Sequence, residues 1–132
     1  MEKINFVNNS EPYLSAENLN QMQDNIENAV NALVESGSND NGSYIKFADG
    51  TMICRGNFEC AANSGQKTVT LPVAFIDNTY DIIFTNRYNA TGNCIWSTGS
   101  RNTTNFDAFP RTNNAIPTVI TNAFYIAIGK WK

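Results

Sequence analysis

An apolar heptad pattern near the start of the chain is the feature that most constrains its folding. Within residues 15–36, apolar side chains recur at intervals of three and four residues, which places them on one stripe of an α-helix. The stripe consists of Leu19, Met22, Ile26, Ala29 and Leu33. Because a helix of two heptads is only marginally stable alone, the stripe needs a cover. Association with identical helices predicts a short coiled-coil bundle, which we favour; packing on the chain's own domain is the alternative.

Signals at both ends of this helix divide the chain into parts. Ser15 supplies an N-cap oxygen, and Glu17 places a carboxylate in the first turn, where the helix dipole favours it. Gly37 fits a helix C-terminus, and the polar residues after it suit a flexible hinge. We therefore predict an extended segment and oligomerisation helix over residues 1–36, a hinge over 37–43 and a β domain, the head, over 44–132.

The head has the pattern of an antiparallel β-sandwich. Asp49-Gly50 fits the two-residue turn of a hairpin, in a register that pairs Phe47 with Met52 and Ile45 with Cys54. Turn-forming residues separate further predicted strands at 67–71, 80–87, 94–97, 106–109 and 123–131. The last strand is apolar on both faces, so we expect it to be central in a sheet or to contact a neighbouring subunit. The fold class is mainly β with one N-terminal helix.

The head offers few groups that catalyse reactions. The sequence contains no histidine, which removes the most common general base and most zinc sites. Its cysteines lack CxxC spacing and an activating base, which leaves paired carboxylates as the enzymatic option. The candidates are Asp49, Glu59, Asp77, Asp81 and Asp107. Asp49 and Asp77 belong to predicted turns, Asp81 lies beside a strand start, and no phosphate-loop or calcium-loop pattern appears. We therefore expect no catalytic residue, no metal site, no cofactor and no enzymatic activity.

Charge and cysteine usage indicate the chain's partners and where it folds. The net charge is −3 and no run of basic residues occurs, so nucleic acid is not an expected partner. Cys54 and Cys60 lie six residues apart in one predicted strand, roughly 20 Å, which is too far for a disulfide. The N-terminus lacks a signal peptide's apolar run, and no 18-residue apolar stretch is present. We expect buried free thiols, including Cys94, synthesis in the cytoplasm and no membrane insertion.

Residues 87–113 combine aromatic rings with planar hydrogen-bonding groups. Such combinations suit sugar binding, because apolar ring faces stack on sugars while amide and guanidinium groups meet hydroxyls. The predicted ligand-binding residues are Arg87, Tyr88, Trp96, Arg101 and Arg111. The competing interpretation places aromatic residues of this segment, Trp96 among them, in the core or at a subunit interface.

Four segments, in order along the chain, carry motifs of a known kind. Residues 10–26 resemble a segment near the start of tail and baseplate proteins from phages of Gram-positive bacteria, and residues 42–54 resemble the opening hairpin of a tail-fibre C-terminal domain. Residues 71–75 with 80–82 are similar to that family's LP-x-x-F…Y-x-V stretch, and residues 124–131 look like its closing strand.

This resemblance implies a homotrimeric tail-fibre or receptor-binding tip of a phage or prophage virion, made in the bacterial cytoplasm. It implies β-sandwich heads that contact the host envelope, and it carries no catalytic residue across. We therefore expect adhesion to a bacterial surface glycan or teichoic-acid-like polymer, with other tail and baseplate proteins as further partners. The alternative is a structural baseplate or tail component that binds only other virion proteins, and a second rival is an envelope-degrading enzyme.

Overall fold

A computed structural model describes residues 15–30, 33–86 and 94–132 of this chain. Within those residues, one helix precedes eight strands. The elements are α1 (Ala16–Val30), β1 (Leu33–Asn39), β2 (Gly42–Phe47), β3 (Thr51–Cys60), β4 (Lys67–Thr70), β5 (Asp81–Asn86), β6 (Ile95–Arg101), β7 (Asn105–Arg111) and β8 (Thr121–Lys130).

The strands form two antiparallel sheets. The larger sheet has the order β1-β2-β3-β8-β5, and the smaller has the order β4-β7-β6. Side chains from both sheets form one core, in which Met52 and Tyr125 of the larger sheet are buried with Phe106 of the smaller. The predicted class, mainly β with antiparallel sheets after an N-terminal helix, is confirmed. The five later predicted strands correspond to β4 through β8.

The aromatic residues hold the two sheets together. The ring of Phe106 lies 5.2 Å from that of Tyr125, edge to face, and Phe58 and Phe84 border the same cluster. Offset and edge-to-face pairs of this kind add about 0.5–1.5 kcal/mol each beyond the apolar area that they bury. β8 runs between β3 and β5, so the prediction that the last strand is central is confirmed.

The start of α1 follows the prediction, but its end does not. The backbone N–H of Asn18 donates to Ser15 Oγ at 3.1 Å, which is the expected N-cap. The helix was predicted to run to residue 36, yet it ends at Val30, and Leu33 already begins β1. Leu33 therefore does not extend the helical stripe.

The predicted hinge at residues 37–43 is also wrong, because these residues form a hairpin. Ser38 pairs with Ser43 across the β1–β2 turn. Asn39 fixes this turn: its Oδ1 accepts from the backbone N–H of Asn41 at 2.9 Å, and its Nδ2 donates to Pro72 O at 2.8 Å. The Gly/Ser/Asn composition suited a linker, but tertiary hydrogen bonds order it. The division into a helical unit and a separate β domain stays a prediction.

The second hairpin forms where it was predicted, with a register shifted by one residue. Lys46 pairs with Met52 and Tyr44 with Cys54, instead of Phe47 with Met52 and Ile45 with Cys54. The cause is a longer loop: Gly50 N–H donates to Phe47 O, and Gly50 has φ +95°, as in a turn closed by a glycine bulge. Tyr44 therefore faces the core while Ile45 lies on the outer face.

Candidate functional site

Three of the five predicted ligand-binding residues, Trp96, Arg101 and Arg111, lie within the described part of the chain. Arg87 and Tyr88 lie outside the described residues. Trp96 is half-buried at the edge of the core, where its ring lies 5.0 Å from that of Phe58 and 6.1 Å from that of Phe84. This placement agrees with the alternative that Trp96 is a core residue.

The two described arginines of this set anchor backbone segments. Arg101 Nη1 donates to Tyr80 O at 2.5 Å, and its guanidinium lies 5.9 Å from the Tyr80 ring centre. Arg111 Nη1 donates to Gly65 O at 3.0 Å. Both arginines thus have structural partners, in different parts of the head. A ligand-binding role for them stays a prediction.

The helical stripe is largely open to solvent in a single chain. Met22 is 55% exposed and Ile26 is 56% exposed, while Leu19 is half-buried and Ala29 is exposed. Fully burying a side chain such as Met or Ile contributes roughly 1.5–3 kcal/mol, so a cover for this stripe would be favourable. The predicted coiled-coil partner itself stays a prediction.

Three of the five carboxylates that were candidates for catalysis accept hydrogen bonds from threonine residues. The backbone N–H of Thr51 donates to Asp49, and the Thr79 hydroxyl donates to Asp77; each bond lowers the pKa of the carboxyl that accepts it. Asp107 accepts from the Thr68 hydroxyl at 2.7 Å. The contacts of Asp49 and Asp77 favour the ionised form, whereas a general acid needs a raised pKa.

The three cysteines are free and buried, as predicted. Burial raises the pKa of the Cys54 thiol to about 12, so the nucleophilic thiolate is scarce at neutral pH. Over the described ranges, no cluster of His, Cys, Asp or Glu with the arrangement of a metal site occurs. No helix among those residues has both the length and the apolarity needed to span a membrane.

A groove lies between the β1–β2 turn and the outer face of the larger sheet. We call it the tip groove; its volume is about 560 Å³, within the ~300–1,000 Å³ of small-ligand sites. Residues of three neighbouring strands form the floor of the groove, because Phe124 of β8 pairs with Asn57 of β3 on one side and with Thr85 of β5 on the other. Asn57, Phe124 and Thr85 therefore form one row on the outer face. In the next row, Arg55 pairs with Ile126.

Close backbone packing fixes the wall of the tip groove. Gly42 has φ +135°, and a Cβ at this position would lie 2.2 Å from Arg55 O, so the turn approaches β3 as only glycine allows. Arg55 Nε donates to Ser43 Oγ at 3.0 Å, and the Tyr125 hydroxyl donates to Asn41 O at 3.3 Å. The wall is thus formed before any ligand binds.

Sequence reasoning did not find this groove. The signal that was present is the two-sided apolar pattern of the last strand, which leaves Phe124 exposed when Tyr125 faces the core. The residues that accompany Phe124 come from strands far away in sequence. Their proximity depends on the order β3-β8-β5, which local patterns do not specify.

Comparison with solved structures relates this fold to pyocin tail fibres. An N-truncated R1-type pyocin tail fibre matches with a TM-score of 0.56 and 16% identity, over 80% of this chain and 94% of that chain. A longer C-terminal piece of the R1 pyocin fibre of P. aeruginosa matches with a TM-score of 0.56 and 17% identity, over 78% of this chain and 30% of that chain. The corresponding piece of the P. aeruginosa R2 fibre matches with a TM-score of 0.54 and 15% identity, over 79% of this chain and 28% of that chain.

These comparisons establish a shared tail-fibre fold. The match spans nearly all of the first structure but about a third of the other two. No protein-family model matches the sequence, and no curated protein matches it either. The structural neighbours lend no support to the Gram-positive hosts that the sequence resemblance implied.

Proposed function

We propose that this protein is a non-enzymatic tail-fibre tip of a phage or prophage particle, located in the virion. The observation that carries this proposal is the fold shared with almost the whole of an N-truncated pyocin tail fibre. The order of the tail-protein segments along the sequence supports it independently. Asp49 and Asp77 are occupied in turns and the three thiols are buried, which also favours binding over catalysis.

The tip assembles as a homotrimer through α1. In this arrangement Met22 and Ile26 pack against the same residues of two sister chains. Their exposure in the single chain supports it, since an apolar stripe of this kind is normally covered in the functional state. Three heads on one particle would raise avidity for a repetitive surface without new contacts in any one head.

The head adheres to a host surface glycan or teichoic-acid-like polymer. Support comes from the abundance of amide and hydroxyl side chains on the described surface of the head and from the tip groove. The proposal that the hosts are Gram-positive rests on the resemblance of residues 10–26 alone. The rival function is a structural tail or baseplate component that contacts other tail proteins only.

Binding of the full chain to isolated cell-envelope fractions tests this proposal. We expect retention on envelope polysaccharide from at least one bacterium, with no release of reducing ends or phosphate. Retention on purified tail or baseplate proteins, together with no binding to any envelope fraction, would favour the structural rival. Release of reducing ends would show an enzyme and contradict the proposal.

A further inference from the structure

The tip groove combines one aromatic ring with polar groups on both sides of it. The Phe124 side chain is 42% exposed, and its strand partners are an amide, Asn57, and a hydroxyl, Thr85. Directly opposed residues on antiparallel strands have Cβ atoms about 4.5–5.5 Å apart. The amide and the hydroxyl are therefore carried by the two strands that flank Phe124, one on each side. Ile126, the next outward residue of β8, extends the apolar floor.

The chemistry of the rim indicates the charge of the ligand. Arg55 supplies a guanidinium, while Asp40 in the β1–β2 turn supplies a carboxylate. Opposite charges on one rim give no net preference for an anion such as phosphate. Guanidinium, carboxylate, amide and hydroxyl groups together offer both donors and acceptors, which is what vicinal hydroxyl groups require. An apolar floor under a mixed polar rim matches an amphipathic ring.

We propose that the tip groove binds an uncharged pyranose unit of a glycan, with the apolar face of the sugar ring on Phe124. Asn57 and Thr85 bind ring hydroxyls at its two edges, and Arg55 binds a hydroxyl of the adjoining sugar. This assignment rests on the proposed glycan adhesion and gives it a location. It differs from the site predicted within residues 87–113, because it uses β3, β5 and β8.

The groove is suited to such a ligand because it is preformed. Gly42 and the hydrogen bond from Arg55 to Ser43 hold the turn against β3. Little free energy is therefore lost in ordering the backbone when a ligand binds. Sugars bind weakly because water competes for their hydroxyl groups. A rigid groove presented several times on a particle compensates for that weakness.

Binding of the full chain to immobilised neutral oligosaccharides tests the assignment. The probes are oligomers of glucose, galactose and N-acetylglucosamine, with a glycerol-phosphate polymer as the anionic comparison. Phe124→Ala should weaken neutral oligosaccharide binding about tenfold, the effect of losing one ring contact. Asn57→Ala should weaken it several-fold. Ile128→Ala is the matched control, because Ile128 lies on the same face of the same strand but outside the groove.

The outcomes separate this assignment from the function on which it rests. If the unaltered chain binds a neutral oligosaccharide and Phe124→Ala binds equally well, the groove assignment is wrong while glycan adhesion stands. If the unaltered chain binds none of the neutral probes, the assignment fails; if it also binds no envelope fraction, glycan adhesion fails with it. Sedimentation of each variant completes the test, because a changed mass for Phe124→Ala would mark the groove as a subunit contact and overturn the assignment.

Discussion

Adding one methyl group at Gly129 tests how tightly the two sheets are packed. Gly129 lies on the inner face of β8, where an added Cβ would lie 2.6 Å from Tyr80 Cβ and 2.9 Å from Phe75 Cδ1. Those two rings are buried and stacked with centres 4.4 Å apart. Tyr80 Cβ adjoins the backbone, so it has little freedom to move away.

The expected change follows from two opposing effects. Overpacking of a core costs about 1–3 kcal/mol, whereas replacing glycine by alanine stabilises by about 0.4–1 kcal/mol through the unfolded chain. Gly129→Ala should therefore lower the free energy of unfolding by about 1–2 kcal/mol. For a chain of this size, that corresponds to a fall in Tm of about 3–8 °C.

Gly65→Ala is the matched control, because the chemical change is identical and the surroundings differ. The nearest atom to its added Cβ is the end of the Ile116 side chain, which is exposed and free to rotate. We expect no loss of stability there. Thermal unfolding followed by circular dichroism at one fixed protein concentration measures both variants, since association makes Tm concentration-dependent. Equal Tm values for Gly129→Ala and Gly65→Ala would refute the packing described here.

Three further predictions concern single side chains. Cys54 should resist alkylation by iodoacetamide at pH 8 and react fully in denaturant, because burial raises the pKa of its thiol to about 12; rapid reaction of the native protein would contradict this. Burial also raises the pKa of Tyr80 from about 10 to about 12, so its contribution to stability is fully present below pH 10 and is lost as the pH rises to 12; denaturant midpoints that stay constant from pH 9 to pH 12 would argue against it. Trp96→Ala should destabilise the head by about 3 kcal/mol, at the lower end for aromatic truncation because the ring is half-buried, and unchanged unfolding would show that the ring is not part of the core.

Local chemistry made part of the fold predictable. The N-cap at Ser15 and the glycine turn at Gly50 act within four residues, and both were located correctly from the sequence. The apolar residues on both faces of β8 likewise indicated a central strand. The hairpin register was missed because a glycine bulge and a two-residue turn share the same Asp-Gly signal, and only packing distinguishes them.

Long-range pairing accounts for the features that were missed. Gly37 and Ser38 have the composition of a linker, yet they lie in β1 because β2 supplies their backbone partners, and the carbonyl of Pro72 accepts a hydrogen bond from Asn39 at the end of the strand. The tip groove requires Asn57 and Thr85 to meet on either side of Phe124, across more than thirty residues of sequence in each case. The local secondary-structure propensities of these residues do not predict that they pair, because the pairing depends on the order of strands in the sheet.

The mass of the full chain in solution tests the central claim that α1 is covered by sister chains. Sedimentation at micromolar concentration should give three times the chain mass of 14.6 kDa. Met22→Lys with Ile26→Lys should return the protein to a single folded chain, while Asn28→Lys, on an exposed position away from the stripe, should leave the assembly unchanged. A folded monomer of 14.6 kDa for the unaltered chain would contradict the account.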